Sequence, residues 1–101
     1  MIRHIVMWDF AEGFTDEENR LNAVQIKSAL EDMLFAVEGV EYMRVVIGGM
    51  ETSNADILLD STFSDEEALR KYYEHPAHER ILEFLEECTV NKKRMDFKVQ
   101  D

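Results

Sequence analysis

The pattern of apolar and polar positions at the start of the chain predicts a strand followed by a helix. Residues 2–10 are rich in Ile, Val, Trp and Phe, which favours a strand. Thr15 to Glu18 has the T-x-x-E spacing of a capping box, in which a hydroxyl and a carboxylate satisfy free amides at a helix start. The apolar residues beyond it recur every three or four positions, so they share one buried helical face that ends before Gly39. They are Ala23, Ile26, Leu30, Met33 and Val37.

The middle of the chain has the composition of two strands joined by a turn. Residues 41–47 and 55–63 are the predicted second and third strands. Gly48, Gly49 and the Thr-Ser-Asn segment at 52–54 have the chemistry of turns. Because the connection is short, we expect these strands to form an antiparallel hairpin.

The last third of the chain again predicts a helix followed by a strand. Ser64 to Glu67 has the spacing of a second capping box and opens a helix that runs through Tyr72. Pro76 interrupts this helix, because proline disfavours helical geometry in the residue before it yet starts a new helix well. A second helical piece over 77–88 and a strand over about 90–99 follow.

The order strand, helix, strand, strand, helix, strand defines the fold class. It predicts an α+β domain with a four-stranded antiparallel sheet and both helices on one face, because right-handed crossovers bring the helices to the same side. The other face should be polar, yet Ile5 and Met7 alternate with Val6 and Trp8 in the first strand. An uncovered apolar face indicates a contact surface, and its simplest cover is a second copy on a two-fold axis. The sequence therefore predicts a homodimer whose two sheets enclose a barrel-like core.

Length and charge narrow the class of protein further. The 101 residues leave room for one hydrophobic core, so we expect a single domain over 1–101. The net charge of −11 disfavours partners with phosphate backbones or anionic lipid headgroups. Cys88 is the only cysteine, which fits a reducing compartment, and the chain opens with a strand-like run rather than a leader. No apolar stretch approaches the roughly 20 residues of a membrane helix. We therefore expect a cytoplasmic protein with no nucleic-acid or membrane partner.

Three short segments resemble one known family. They are Arg3-His4-Ile5-Val6, Tyr72-Tyr73-Glu74-His75-Pro76-Ala77-His78 and Met95-Asp96-Phe97. Together they resemble the stress-responsive A/B barrel (Dabb) domain over nearly the whole chain. The resemblance implies a ferredoxin-like fold in a dimeric α+β barrel, in agreement with the pattern of strands. It implies little about activity, because the superfamily includes cofactor-free polyketide cyclases, small monooxygenases and members without an assigned reaction.

Four residues are candidates for acid–base catalysis: His78, Tyr72, His4 and Asp96. His4 shares a strand face with Val6, so it meets His78 in a pocket if that face packs against the helices. A neutral imidazole accepts a proton, a carboxylate orients the imidazole, and a phenol donates to a developing enolate oxygen. In the plant cyclases that the chain resembles, the tyrosine and second histidine of Y-x-x-H-P-x-H act in this way, which implies these roles for Tyr72 and His78.

Trp8 and His75 are candidates for ligand binding, and each candidate also has a structural interpretation. His75 can cap the helix that starts at Pro76, with its ring tied to a backbone carbonyl. His4 and Asp96 can form a buried polar contact between strands, and Trp8 can be a core residue. Because no H-E-x-x-H pattern, cysteine pair or glycine-rich phosphate loop is present, we expect neither a metal nor a cofactor.

Two functions remain open on the sequence alone. The first is a homodimer that binds a small aromatic or polyketide-like molecule in a pocket between sheet and helices. The second is a cofactor-free enzyme, a cyclase-like lyase or a small monooxygenase, that uses the histidines and the tyrosine for acid–base chemistry. The observation that bears on both is whether His4, Tyr72 and His78 share the wall of one pocket.

Overall fold

The computed structural model describes residues 1–99, which form four strands and four helices. The strands are β1 (Ile2–Phe10), β2 (Val40–Ile47), β3 (Ile57–Phe63) and β4 (Thr89–Lys98). The helices are α1 (Asp16–Glu31), α2 (Met33–Ala36), α3 (Glu66–Glu74) and α4 (Pro76–Cys88). The predicted βαββαβ order is confirmed, with each helical segment divided into two pieces.

The four strands form one antiparallel sheet in the order β2-β3-β1-β4. The predicted hairpin of β2 with β3 is present. β1 is central, so His4 lies beside Ser61 of β3 on one side and beside Asp96 of β4 on the other. This is the predicted ferredoxin-like arrangement.

The helices cover one face of the sheet, which we call the inner face. The even-numbered residues of β1 point to it, and those from Ile2 to Trp8 are buried. They pack with apolar side chains of the helices and of β2 and β3 in one continuous core. Its largest fully buried apolar members are Tyr72, Phe63, Ile26, Leu30, Met33, Ile57 and Leu59. Two histidines, His4 and His78, are buried within this apolar region.

The single helix expected over the first apolar repeat is two helices, which corrects that prediction. α1 ends at Glu31, and the amide of Phe35 then donates to the carbonyl of Asp32 at 3.1 Å, an i to i+3 bond that tightens the chain. Gly39 ends the segment as expected, with φ of 91°. A β-carbon at Gly39 would lie 2.5 Å from that of Ala68, so the close approach of α3 also requires glycine here.

One of the two predicted capping boxes forms. The amide of Glu18 donates to the Thr15 hydroxyl at 3.1 Å, and the Thr15 amide donates to the Glu18 carboxylate at 2.9 Å. The second box was wrong, because α3 begins one residue later than predicted and Asp65 is its cap. The Asp65 carboxylate accepts from the Ala68 amide at 2.8 Å. Ser64 lies outside the helix, where its amide donates to the carbonyl of Gly39.

β2 is an edge strand of the sheet, and two side chains of α1 hydrogen-bond to its free backbone groups. The Val45 amide donates to the Glu31 carboxylate at 2.9 Å, and the Val45 carbonyl accepts from the Lys27 ammonium at 2.7 Å. Lys27 and Glu31 also form an ion pair at 2.7 Å. We call these three residues the α1–β2 clamp.

A β-bulge interrupts the pairing of β1 with β4 next to Trp8. Met7 pairs with Lys93 and Asp9 pairs with Val90, so two residues of β4, Asn91 and Lys92, lie opposite the single Trp8. Asn91 has φ of 57°, a left-handed conformation that asparagine tolerates better than most residues. The bulge interrupts the backbone pairing of β1 with β4 at Trp8, two strand positions from Val6 on the inner face.

Candidate functional site

His4 lies at the centre of a hydrogen-bonded polar cluster on the inner face. Its Nδ1 is hydrogen-bonded to Asp96 Oδ1 across the β1–β4 pair, as the strand register allows. The Tyr73 hydroxyl of α3 donates to the other carboxylate oxygen of Asp96 at 2.9 Å and lies 3.3 Å from His4 Nδ1. The predicted polar contact between strands is therefore present, and a helix side chain joins it.

The protonation states of this cluster follow from burial and from the Asp96 carboxylate. Burial lowers the pKa of His4, and the hydrogen bond and charge of Asp96 only partly oppose that effect. His4 is then neutral near pH 7, with the Nδ1 proton directed at Asp96 and Nε2 left as the basic nitrogen. Burial and the nearby carboxylate raise the pKa of Tyr73, so its hydroxyl keeps its proton and donates to Asp96.

Tyr72 and His78 extend the cluster into the core. The Tyr72 ring lies 5.7 Å from the His4 ring and 4.6 Å from the His78 ring, measured between centroids. Burial raises the pKa of Tyr72, which therefore stays a neutral phenol and a hydrogen-bond donor. Three aromatic rings from β1, α3 and α4 thus meet at one point below the sheet.

His78 is positioned by the start of α4. Pro76 occupies the first turn and His75 is the N-cap, so His78 reaches the inner face from the first turn of the helix. Burial lowers the pKa of His78 to about 4, and the charge of Lys92 acts in the same direction. Its Nδ1 is buried and has no hydrogen-bond partner at normal geometry among residues 1–99. A contact with the Tyr73 backbone raises the pKa of the ring, but burial and Lys92 outweigh it. A neutral, buried ring nitrogen without a well-formed hydrogen bond is costly to a folded protein and available to a ligand.

Two adjoining cavities lie at this site. The inner one has a volume of about 10 Å³, close to the space of one water, and its walls include His4, Tyr72 and His78. The outer one has a volume of about 170 Å³ and lies between α4 and the bulged end of β4. Both are lined by Trp8, Leu82, Leu85 and Lys92.

The six residues singled out from the sequence divide into two groups. His4, Tyr72, His78 and Asp96 come together, although Asp96 does not line the cavity and acts on it through its contacts with His4 and Tyr73. Trp8 is a core residue that lines both cavities. His75 does not line them and caps α4. Its Nδ1 accepts from the Ala77 amide at 3.1 Å, which corrects the expected bond to a backbone carbonyl.

Three residues of the site were not among the sequence candidates: Tyr73, Lys92 and Arg94. Neighbouring residues of a helix point about 100° apart, so helical spacing alone does not predict that Tyr72 and Tyr73 contact one site. Tyr73 does so because its hydroxyl reaches the edge strand β4, while Tyr72 points into the core. Lys92 and Arg94 could have been found, since every second residue of β4 shares a face with Asp96.

Residues 1–99 contain neither a metal-binding cluster of side chains nor a membrane-spanning helix. No group of three or more His, Cys, Asp or Glu side chains in this range has the proximity needed to hold a metal ion. Within the same residues, no helix combines the length and apolar character required to cross a bilayer.

The fold and the buried polar cluster define a class of small α+β domains in which a ferredoxin-like sheet forms a site with its own helices. Residues 2–99 match the family model described as Stress responsive A/B Barrel Domain (Dabb). The chain therefore belongs to the Dabb family, and the resemblance found in the sequence is confirmed.

Solved structures agree with this assignment at the level of the fold. A dimeric protein of unknown function with a ferredoxin-like fold from Bacteroides fragilis is 20% identical, with a TM-score of 0.88 and coverage of 97% of this chain and 95% of that one. A Dabb family protein from Mesorhizobium loti is 19% identical, with a TM-score of 0.71 and coverage of 99% and 97%. A hydroxynitrile lyase from Passiflora edulis is 10% identical, with a TM-score of 0.80 and coverage of 99% and 94%. No curated protein matches the sequence.

Proposed function

We propose that this Dabb protein is a homodimer that binds a small molecule in the pocket between the inner sheet face and the helices. The observation that carries the proposal is the His78 ring, 7% exposed, whose Nδ1 lacks a partner among residues 1–99. Folding alone disfavours such a group, because an apolar side chain of similar size would fill the space without an unsatisfied atom. A ligand that hydrogen-bonds to this nitrogen would offset that cost.

The dimer is proposed from the other side of the sheet, which we call the outer face. Apolar side chains of all four strands gather there, although no helix covers them. Met7 is 40% exposed, Phe97 42% and Met95 67%. A contiguous apolar surface of this kind is usually a contact site, and the Bacteroides fragilis neighbour is described as dimeric. A second copy packed face to face on a two-fold axis is the simplest cover.

A second candidate function is cofactor-free acid–base catalysis at the same site. The contact of His4 with Asp96 favours it, because a carboxylate that holds Nδ1–H leaves Nε2 as a general base. In this proposal His4 removes a proton from carbon beside a carbonyl group, and the phenol of Tyr72 donates a hydrogen bond to the resulting enolate oxygen. The Passiflora edulis neighbour is a hydroxynitrile lyase, so the fold accommodates a lyase in that protein.

The binding proposal is tested by a thermal-shift screen of small aromatic and polyketide-like compounds on wild type and on His78→Leu. We expect some compounds to stabilise the wild type and none to stabilise the variant. The free energy of unfolding without ligand should change by no more than about 1 kcal/mol, because the lost nitrogen had no partner.

The control for this screen is His75→Leu, which removes a histidine three residues away and outside the pocket. Loss of the cap should cost about 0.5–2 kcal/mol, but the stabilisation by ligands should remain. If His78→Leu costs about 1–3 kcal/mol and no compound stabilises the wild type, His78 is a structural residue and the binding proposal fails.

The catalytic proposal has its own test in the exchange of acetophenone methyl hydrogens for deuterium. Nuclear magnetic resonance in deuterated buffer should show exchange above the buffer rate with wild type, and a loss of that excess in His4→Gln. The absence of any excess exchange with wild type would contradict a base of this kind.

A further inference from the structure

The mouth of the pocket carries positive charge in a protein that is otherwise strongly acidic. Four of the 11 basic residues of the chain lie in β4, and two of them, Lys92 and Arg94, are at the pocket. Of the others, Lys93 points to the outer face and Lys98 pairs with Glu66 at 3.3 Å. Lys92 and Arg94 line the inner cavity together with the two buried histidines. The net charge of the chain is −11, so this local excess is the reverse of its surroundings.

Within residues 1–99, neither of these two cations forms a salt bridge, although the Glu86 carboxylate on the wall of the outer cavity acts on the charge of Lys92. Asp96, the nearest acidic residue along β4, is already engaged by His4 and Tyr73. Arg94 lies instead over the Tyr73 ring, 5.5 Å from its centroid. The charges of both residues act on the buried histidines and disfavour a positive imidazole. Two cations without a salt bridge and two neutral histidines outweigh the single carboxylate of the cavity walls, that of Glu86, so the site can receive a negative charge.

The apolar part of the site lies next to these charges. The outer cavity of about 170 Å³ has an apolar wall of Trp8, Leu82, Leu85 and Val90 and a polar rim of Glu86, Thr89, Asn91 and Lys92. Lys92 also lines the inner cavity. Lys92 therefore separates the outer cavity, which is large enough for a small ring, from the inner cavity beside His78. A dry apolar cavity of about 150 Å³ is known to accept benzene, so a single aromatic ring fits this scale.

We propose that the cleft binds a small aromatic carboxylate, with its ring against Trp8 and Leu85 and its acidic group on Lys92 and Arg94. The inference rests on the proposed binding function and adds the chemical class of the ligand. The carboxylate draws Lys92 out of the boundary, and the two cavities then join beneath the histidines. Charge-assisted hydrogen bonds to the two cations provide the selectivity for an acid over a neutral molecule.

The test uses matched probes, benzoate and 2-naphthoate against their amides, benzamide and 2-naphthamide. Titration calorimetry on the wild type should show at least one of the acids binding about tenfold or more tightly than its amide, as expected for a lost charge-assisted contact. The affinity for the acid should also fall as salt is raised, because the cations at the mouth are open to solvent.

The variants are Lys92→Gln and Arg94→Gln, with Lys93→Gln as the matched control. Lys93 is the next residue of the same strand and pairs with Met7 on the outer face. The Lys93→Gln substitution therefore removes the same charge from the opposite side of the sheet. Each pocket variant should weaken binding of the acid about tenfold, whereas Lys93→Gln should change it less than about twofold.

Three outcomes overturn the inference. Equal affinity for acid and amide shows that the two cations do not contact the ligand. An equal loss of affinity for the acid in Lys93→Gln and Lys92→Gln shows only general electrostatic attraction to a basic strand, without a specific site. No binding of either acid by the wild type is also decisive. If neutral compounds from the wider screen still stabilise the wild type through His78, the binding proposal survives and only the acidic class is wrong. If nothing stabilises the wild type, both fail.

Discussion

The two faces of the sheet depart from the expected alternation in opposite ways. The inner face is covered by helices and should be apolar, yet it carries His4, Ser61 and, at the rim, Asp96. The outer face has no helix and should be polar, yet Met7 and Leu58 lie side by side there. On both faces the departures are grouped rather than scattered.

The two faces differ in whether their exceptional side chains find partners within the chain. Ser61 donates to the His4 carbonyl at 2.8 Å, and His4 bonds to Asp96, so most polar groups of the inner face have partners. His78 Nδ1 does not, within the described residues. The apolar residues of the outer face have no covering layer within the described residues. An unsatisfied polar atom on the covered face is the basis of the ligand proposal, and the exposed apolar residues on the open face are the basis of the dimer proposal.

The largest expected effects come from placing the same charge on either face. Leu59 is 1% exposed on the inner face, and Leu58 beside it points outward. Leu59→Lys should prevent folding, because a lysine without a partner would lie in the core. Leu58→Lys should leave a folded monomer, because only the contact with a second copy is lost.

Circular dichroism and light scattering separate these results. Wild type should scatter as twice the 11.9 kDa chain mass, and Leu58→Lys as that mass itself. A wild type that is already monomeric, or a Leu58→Lys variant that remains dimeric, would show that the outer face is not the interface.

Neighbouring residues of β1 offer a smaller comparison. His4→Leu removes a partner of the part-buried Asp96 and should cost about 1–3 kcal/mol of unfolding free energy. Arg3→Leu removes an exposed ion pair with Asp60 and should cost no more than about 1 kcal/mol. Urea unfolding at fixed protein concentration measures both, and equal costs would mean that the cluster around His4 contributes little.

The buried histidine makes stability depend on pH. Because the pKa of His78 is about 4 in the folded protein and 6.5 is its ordinary value, the unfolded chain binds a proton more readily as pH falls. The contribution of His78 to the free energy of unfolding is fully present above pH 6.5 and is lost as the pH falls toward about 4. Between about pH 7.5 and about pH 5, His78 should account for a loss of about 2 kcal/mol. Urea unfolding should show a larger loss in wild type than in His78→Leu, where the lowered pKa of His4 still contributes; identical slopes would mean that His78 titrates normally.

The smallest expected effect is that of a chelator. The polar cluster of the inner face is held by hydrogen bonds, so dialysis against a chelator should leave the melting temperature nearly unchanged. A large drop that zinc restores would instead identify His75 and His78 as ligands. The control is the same dialysis with His75→Leu.

The sequence predicted most of the fold because its local signals agreed. Periods of two and of three to four residues located the strands and helices, and Thr15 and Pro76 marked two helix starts. Helix ends were less certain, since the i to i+3 bond at Asp32 and the cap at Asp65 depend on how each helix meets its neighbours. The cytoplasmic location stays a prediction.

The site was only partly predictable for a similar reason. His4 and Asp96 were named from the sequence, and their pairing follows once β4 lies beside β1. Whether Tyr72 or Tyr73 would face them depends on the rotation of α3, which apolar spacing does not specify. The cavity volumes depend on side-chain packing and have no signal in the chain.

The α1–β2 clamp has a consequence for how the molecule behaves in a crowded solution. A free strand edge offers amides and carbonyls on which another chain can build, and repetition of that step gives fibres. Here the Val45 groups that face away from β3 are occupied by Lys27 and Glu31. An incoming strand would have to displace an ion pair before it could bond to Val45. Growth along the β2 edge is therefore obstructed at its middle, and the proposed contact through the outer face would stop at two copies, because a two-fold axis uses the same surface on both.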